Sequence, residues 1–304
     1  MKPIIAPVDR KLLKSELTDS VFLRNTRKGN NMIFDVNIHN APNVLREIGR
    51  LREITFRDSG GGTGEEIDLD EHDISARCYQ QLIVWSPEDE EIVGGYRYIK
   101  CDEAKDEKGN YHLSTSHYFD FSSTFLKDFL PKTIELGRSW IQPSFQPKEN
   151  PQKGLYALDN IWDGLGALVK FNPEIRYFFG KVTMYPDFHR ECRDFILSFM
   201  HFYFPDREKL ITPHNALDIG AVKDAYQKKL EGLDFKEGLK ILNAFVRENG
   251  EFIPPLVNIY MGLSPTMKTF GTAINAEFGN VEETGILVTI DDIYLEKKER
   301  YLVF

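Results

Sequence analysis

Apolar residues recur at helical spacing over 43–56, NVLREIGRLREITF, where Val44, Ile48 and Leu51 share a face with Leu45 beside them. The spacing predicts a helix. Gly49 interrupts it, a cost that a close packing contact would offset. The pattern breaks at 57–73, RDSGGGTGEEIDLDEHD, which holds four glycines and, from 58 onward, seven acids and no lysine or arginine. That composition reads as a flexible, solvated loop. Two strands follow, CYQQLIVWS (78–86) and EIVGGYRYIK (91–100), and the short PEDE gap between them predicts an antiparallel hairpin. A short helix is expected over 122–130, then a strand over 133–143 ended by Pro143. Over 150–171 an apolar stripe of Leu155, Leu158, Ile161, Trp162, Leu165, Leu168 and Val169 marks an amphipathic helix. A strand (174–184), a helix (187–204), charged helical insertion material (205–250), a helix starting at the prolines of 254–263, and strands over 267–278 and 285–295 complete the chain.

This order predicts a mixed α/β (α+β) fold with a mainly antiparallel sheet flanked by helices. The strand–helix–strand run in its middle makes 133–143 and 174–184 a parallel pair. With 304 residues, 41% of them hydrophobic, the chain reads as one domain over 1–304, with an N-terminal extension (1–42) and the insertion near 205–250. The longest apolar run, FILSFMHFYF, is too short to span a bilayer, and the N-terminus lacks the apolar core of a signal peptide. A cytoplasmic protein is expected. Three cysteines at unrelated spacings argue against a disulfide framework, and His189 with Cys192 has no second ligand pair in sight, so no metal site is expected.

The net charge of −9 disfavours nucleic acid as a partner. It is uneven: residues 1–57 hold eleven Lys and Arg against six Asp and Glu, a balance of +5, leaving −14 for the remainder. A basic segment on an acidic body suits docking of an acidic partner, and a solvated, charge-mixed segment suits the numbers equally. Arg46, Arg50 and Arg57 fall on one face of the predicted helix, either as that docking stripe or paired with Glu47 and Glu53.

Charge also sits where strands should be apolar. Arg97 lies in GGYRYI, and Glu135 and Arg138 lie in ELGRSW, just downstream of Asp68, Asp70 and Asp73 in DLDEHD. Burying such groups costs several kcal/mol unless they are paired or face a cleft. Three clusters on adjacent elements point to a polar cleft. Residues 135 and 138 face opposite ways in a regular strand, so Gly137 between them is expected to mark a bulge if the two act together.

LREIGRLREITFR, GGGTG, DLDEHD, EIVGGYRYI and ELGRSWIQPSFQ, in this order and spacing, resemble the hemolysin-labelled acyltransferase branch of the GNAT superfamily. That branch holds the carrier-protein-dependent N-acyltransferases that make lyso-ornithine lipids and N-acyl glycines. The set is also similar to acyl-homoserine-lactone synthases through an Arg…Phe, Asp-x-x-Asp, Arg, Glu-x-x-Arg series, matched here by Arg52, Phe56, Asp70, Asp73, Arg97, Glu135 and Arg138. The resemblance covers 43–145 most strongly and implies a GNAT-like sheet with two splayed central parallel strands. It implies transfer of a long-chain, in some members 3-hydroxylated, fatty acyl group from acyl carrier protein to the α-amine of glycine, ornithine or a similar acceptor, with contact at the inner membrane surface. Coenzyme-A-dependent relatives carry a glycine-rich pyrophosphate loop after the central strand; here QPKENPQKGLYAL offers only Gly154. A donor on acyl-4′-phosphopantetheine therefore fits better than acyl-CoA, and no permanently bound cofactor is implied.

On this resemblance Glu135, Arg138, Arg97 and Asp73 are the catalytic set, and Arg52, Phe56, Trp140, Ile141 and Gly154 lie on the donor's side. Glu135 is the general base or the anchor of the amine. Arg138 holds Glu135, the acidic loop or the acceptor carboxylate. Asp70 and Asp73 either bind the amine or clamp Arg97 and Arg52, and the need of a buried arginine for partners favours the clamp. Phe56 fits the core better than a ligand site. A non-catalytic acyl-chain or lipid-binding protein, a coenzyme-A-dependent acetyltransferase and a homoserine-lactone synthase are the competing readings.

Overall fold

The computed structural model describes residues 1–147, 149 and 151–302, with backbone alone at 152 and 155. In chain order its elements are α1 (Arg10–Glu16), β1 (Phe22–Asn25), β2 (Met32–Val36), α2 (Pro42–Asp58), α3 (Glu71–Ile74), β3 (Gln80–Ser86), β4 (Glu91–Lys100), β5 (Phe119–Phe121), β6 (Thr133–Ile141) and α4 (Pro151–Phe171). Then come β7 (Tyr177–Met184), α5 (Arg190–Tyr203), β8 (Ile211–Pro213), α6 (Gly220–Lys228), α7 (Phe235–Glu248), α8 (Pro255–Met261), β9 (Lys268–Asn275), β10 (Val281–Thr289) and α9 (Leu295–Tyr301). The expected mixed α/β class, mainly antiparallel and flanked by helices, is what the chain adopts. It falls into two compact units, Met1–Ser114 with Lys132–Ile175 and α9, and Thr115–Pro131 with Arg176–Tyr294.

In the first unit β1, β2, β3, β4 and β6 pair antiparallel in that order. Side chains alternate between the faces. Leu82 and Tyr96, paired across β3 and β4, face α4; Gly164 of that helix lets it come so close that a Cβ there would lie 2.7 Å from Leu82 Cδ2. Gln81 and Arg97, also paired, point to the other face, where α2 packs. Residues 1–42, which carry no element in the sequence pattern, contain α1, β1 and β2, and β2 pairs with β3 along its whole length. Leu155 of the predicted α4 stripe lies outside the described side chains.

The second unit pairs β7, β10 and β9 antiparallel, and β5 with β8. Phe125, Phe179 and Phe270 form its core in mutual edge-to-face contacts. The expected strand over 285–295 lies earlier, at Val281–Thr289, and the chain then turns into α9. The DDIYLEKKER stretch there has polar residues too dense for a buried strand. The helix expected over 122–130 is present as a π-helical turn at Phe125–Phe129 that runs on into a 3₁₀ turn at Leu130–Lys132. Among the described residues, no helix is long and apolar enough to cross a membrane.

Candidate active site

The polar cluster begins at Gly49. A Cβ there would lie 2.7 Å from Leu69 Cγ, so only glycine lets the 68–69 segment press against α2. Asp68 N donates to the Gly49 carbonyl at 3.0 Å, and the contact delivers Asp68 to Arg52 one turn along the helix. The predicted need for a close neighbour at Gly49 is met by this packing. Two residues on, Asp70 caps α3: its carboxylate accepts from His72 N at 2.9 Å while its own N–H donates to Asp73 Oδ2 at 3.1 Å. This reciprocal cap fixes Asp73 inward.

The glycine-rich stretch before it is not the flexible solvated loop its composition suggested. Glu53, fully buried on α2, accepts from Thr63 N (3.0 Å), Thr63 Oγ1 (2.7 Å) and Gly64 N (2.8 Å). Gly60, Gly62 and Gly64 take φ of 87°, 92° and 76°, a region open to glycine, so the chain can wrap that carboxylate. The order comes from a residue ten positions upstream.

Arg52 is entirely buried and donates from Nε to Asp68 (2.9 Å) and from Nη1 and Nη2 to Asp73 (3.1 and 3.2 Å). Arg97, 2% exposed, donates from Nη1 to Asp70 Oδ1 (2.6 Å) and Asp73 Oδ2 (3.1 Å), and lies 5.2 Å from the centre of the Tyr79 ring. Gln81 Nε2 adds a bond to Asp73 Oδ1 at 2.9 Å. Arg138 donates from Nε to Asp68 Oδ2 at 2.9 Å and from Nη2 to Oδ1 at 3.2 Å. Burial alone would raise the pKa of Asp68 and Asp73. The facing arginines outweigh it: Arg138 and Arg52 hold Asp68 below the usual carboxylate range, and Arg52 and Arg97 hold Asp73 far below it. Burial likewise disfavours the charge on Arg52 and Arg97, yet their aspartates raise both pKa values. The clamp reading of Asp73 therefore matches the geometry. Three guanidinium groups and three carboxylates balance, which makes burial tolerable.

The bulge expected between Glu135 and Arg138 is present, one residue later. Arg97 pairs with Gly137 and Gly95 with Trp140, so two residues of β6, Arg138 and Ser139, oppose Tyr96 alone. Arg138, not Gly137, takes the left-handed conformation at φ 46°. The extra residue turns Arg138 to the face that carries Arg97, where it reaches Asp68.

Glu135 stands opposite Ile99 on that same face and is fully buried. Ser114 Oγ donates to its Oε1 at 2.5 Å, and Ser114 N donates to the Tyr79 hydroxyl at 2.9 Å. Burial and the nearby Glu135 charge push the Tyr79 hydroxyl and the Cys101 thiol well above their ordinary pKa values. Tyr79 thus links the Glu135 pocket to Arg97. Ser114 and Tyr79 were not singled out from the sequence, and no motif marks Ser114. Gln81, a polar residue inside the apolar run of β3, was the available signal for its own role.

The remaining candidates are scattered. Phe56 and Trp140 are buried and Ile141 is half-buried. Gly154 serves packing: a Cβ there would lie 2.4 Å from Pro147 N. Of the arginine stripe, Arg50 pairs with Glu47 (2.6 Å) and Arg57 with Glu53 (2.6 Å), the arrangement of the alternative reading, while Arg46 is exposed.

Residues 51–153, from the second half of α2 to the start of α4, match the family described as "Acetyltransferase (GNAT) domain". Nearly the whole chain is similar to the "Glycine N(alpha)-acyltransferase" of Phocaeicola vulgatus, with 52% identity over 307 residues covering 99% of this chain and 93% of that protein. It is 54% identical over 303 residues to the protein of the same name from Bacteroides thetaiotaomicron, covering 99% of this chain and 90% of that one. No solved structure gives a significant match. With this similarity running end to end, the chain belongs to the GNAT N-acyltransferase family. It is an acyltransferase.

Proposed function

We propose that the protein transfers a long-chain fatty acyl group from acyl carrier protein to the α-amine of glycine. The observation that carries the acceptor is the end-to-end identity above 50% with two proteins named for that acceptor. In the reaction the glycine nitrogen attacks the thioester carbonyl, the C–N bond forms, the C–S bond breaks, and the pantetheine thiol leaves. The amine must first lose a proton. Glu135 is the acceptor for it, reached through the Ser114 hydroxyl that donates to its carboxylate. The Arg52–Asp73–Arg97 network holds the face on which this happens rigid.

A carrier-bound donor is supported by the segment after β6. Its one glycine, Gly154, is committed to contact with Pro147, which leaves no run of glycine amides for a pyrophosphate. An acidic carrier would need a local positive face on a chain of net charge −9; with Arg50 and Arg57 paired to Glu47 and Glu53, the exposed Arg46 is the member of the arginine stripe that suits this role. The product, an acid with a long apolar tail, suits release at a membrane surface.

The test supplies purified protein with acyl carrier protein charged with a long acyl chain, or with acetyl-CoA, against glycine, ornithine, serine and alanine. Products are read by mass spectrometry. N-acylglycine from the carrier-bound donor is expected. Product from acetyl-CoA alone would overturn the donor, and acylation of another amine in place of glycine would overturn the acceptor.

A further inference from the structure

Gly137 is a glycine without a structural reason to be one. It is not among the residues with positive φ, so the backbone there admits any side chain. A Cβ at 137 would meet nothing within 4 Å, whereas a Cβ at Gly94 or Gly95 on the neighbouring strand would strike backbone oxygens at 2.3 and 2.4 Å. Gly137 completes a row across one sheet face, Val36, Gln81, Arg97, Gly137, in which its three companions are buried. At the end of that row the missing side chain leaves an open niche beside the charged network.

The groups around the niche suit an α-amino acid. Asp70 is the most exposed carboxylate of the network, its side chain 34% accessible. Its Oδ1 accepts from Arg97, while its Oδ2 lies 3.8 Å from Arg138 Nη2, too far for a hydrogen bond and open to an ammonium donor. The Arg138 guanidinium, 15% accessible, holds Asp68 through Nε and Nη2 and keeps its positive charge beside the niche. Arg97, directly across from Gly137, is 2% exposed and its Nε has no hydrogen-bond partner among the described residues. Such an orphaned donor marks a site whose hydrogen bonding is incomplete.

We propose that the acceptor amino acid occupies the niche over Gly137, its amino group toward Asp70 and its carboxylate toward Arg138, and that the absent side chain at 137 sets the acceptor's size. This rests on the reading of the chain as an amino acid N-acyltransferase. A methyl group added to Gly137 fills the space that the acceptor's Cα would use. Displacing one methyl-sized volume changes discrimination by about 10-fold to 200-fold.

The experiment is Gly137→Ala and Gly137→Val in the full chain, with acceptor kinetics, donor kinetics and thermal unfolding measured on each. The expected result is an unchanged Tm, a KM for glycine raised at least 10-fold in the alanine variant and further in the valine variant, and a KM for the acyl donor within twofold of wild type. A glycine KM within twofold of wild type in both variants overturns the proposal. So does a fall in Tm of several degrees with donor and acceptor KM rising together, since the glycine would then serve the adjacent bulge. If the wild-type chain acylates another amine in place of glycine, the acceptor assignment above fails. The niche then stands or falls on whether Gly137→Ala raises the KM of that amine.

Discussion

The two units bury opposite kinds of matter in their centres. The first encloses Arg52, Asp68, Asp73, Arg97 and Glu135, while the second encloses Phe125, Phe179 and Phe270 in ring contacts at 5.5–6.4 Å. An aromatic core gains from every apolar area it removes from water, and loses in proportion when volume is deleted. A buried ionic network gains little over an apolar core of equal volume, yet loses heavily when one partner is removed. The network is therefore poor value as a stabiliser. What it does fix is the position of Arg97 and Arg138 through their bonds to Asp68, Asp70 and Asp73.

The difference can be broken by substitutions that leave volume nearly constant. Asp73→Asn keeps shape but leaves Arg52 and Arg97 short of a charge partner. We expect a loss of about 3–5 kcal/mol in urea denaturation. Phe179→Leu in the aromatic core should cost about 1–2 kcal/mol, from lost ring contact and a small volume change. If the phenylalanine variant is the more damaging of the two, the network is not the brittle element.

The half-buried Asp35 sharpens the contrast within the first unit. Among the described residues Asp35 has no arginine partner; Tyr98 Oη donates to it at 2.8 Å. Burial pushes its pKa up to about 6, against the lowering effect of that hydrogen bond. The unfolded value is about 3.9, so the proton-bound folded state contributes stability below that pH, and the contribution is lost as pH rises through 6. Asp68 and Asp73 run the other way: their depressed pKa values contribute stability above about pH 3.9 that is lost on acidification. Asp35→Asn, which mimics the protonated form, should therefore stabilise the protein at pH 8 by about 1–3 kcal/mol and change little at pH 4. Equal effects at both pH values would show that Asp35 does not titrate as the burial demands.

Much of this was legible in local pattern. The helical stripe of 43–56, the hairpin of 78–100 and the charges inside ELGRSW are short-range signals, and each maps onto α2, β3–β4 or β6. Parity called for a bulge only if Glu135 and Arg138 were to act together, and it was Arg138, not Gly137, that took the positive φ. What was not legible depends on partners far apart in sequence. β1 and β2 hold few residues, and β2 gains its place by pairing with β3 some fifty positions later. The glycine loop reads as solvated until Glu53 is known to lie inside it. Ser114 is a serine at the start of a short 3₁₀ turn, and only the fold brings it to Glu135.

Glu135 is the residue on which the proposed proton transfer depends. The direct measurement is the turnover of Glu135→Gln with carrier-bound acyl donor and saturating glycine, alongside its thermal unfolding. The substitution keeps the shape that Ser114 bonds to and removes the proton acceptor. A fall in kcat on the order of 100-fold with Tm preserved is the result predicted. Turnover close to wild type, in a folded variant, would contradict it and place the proton-accepting group elsewhere.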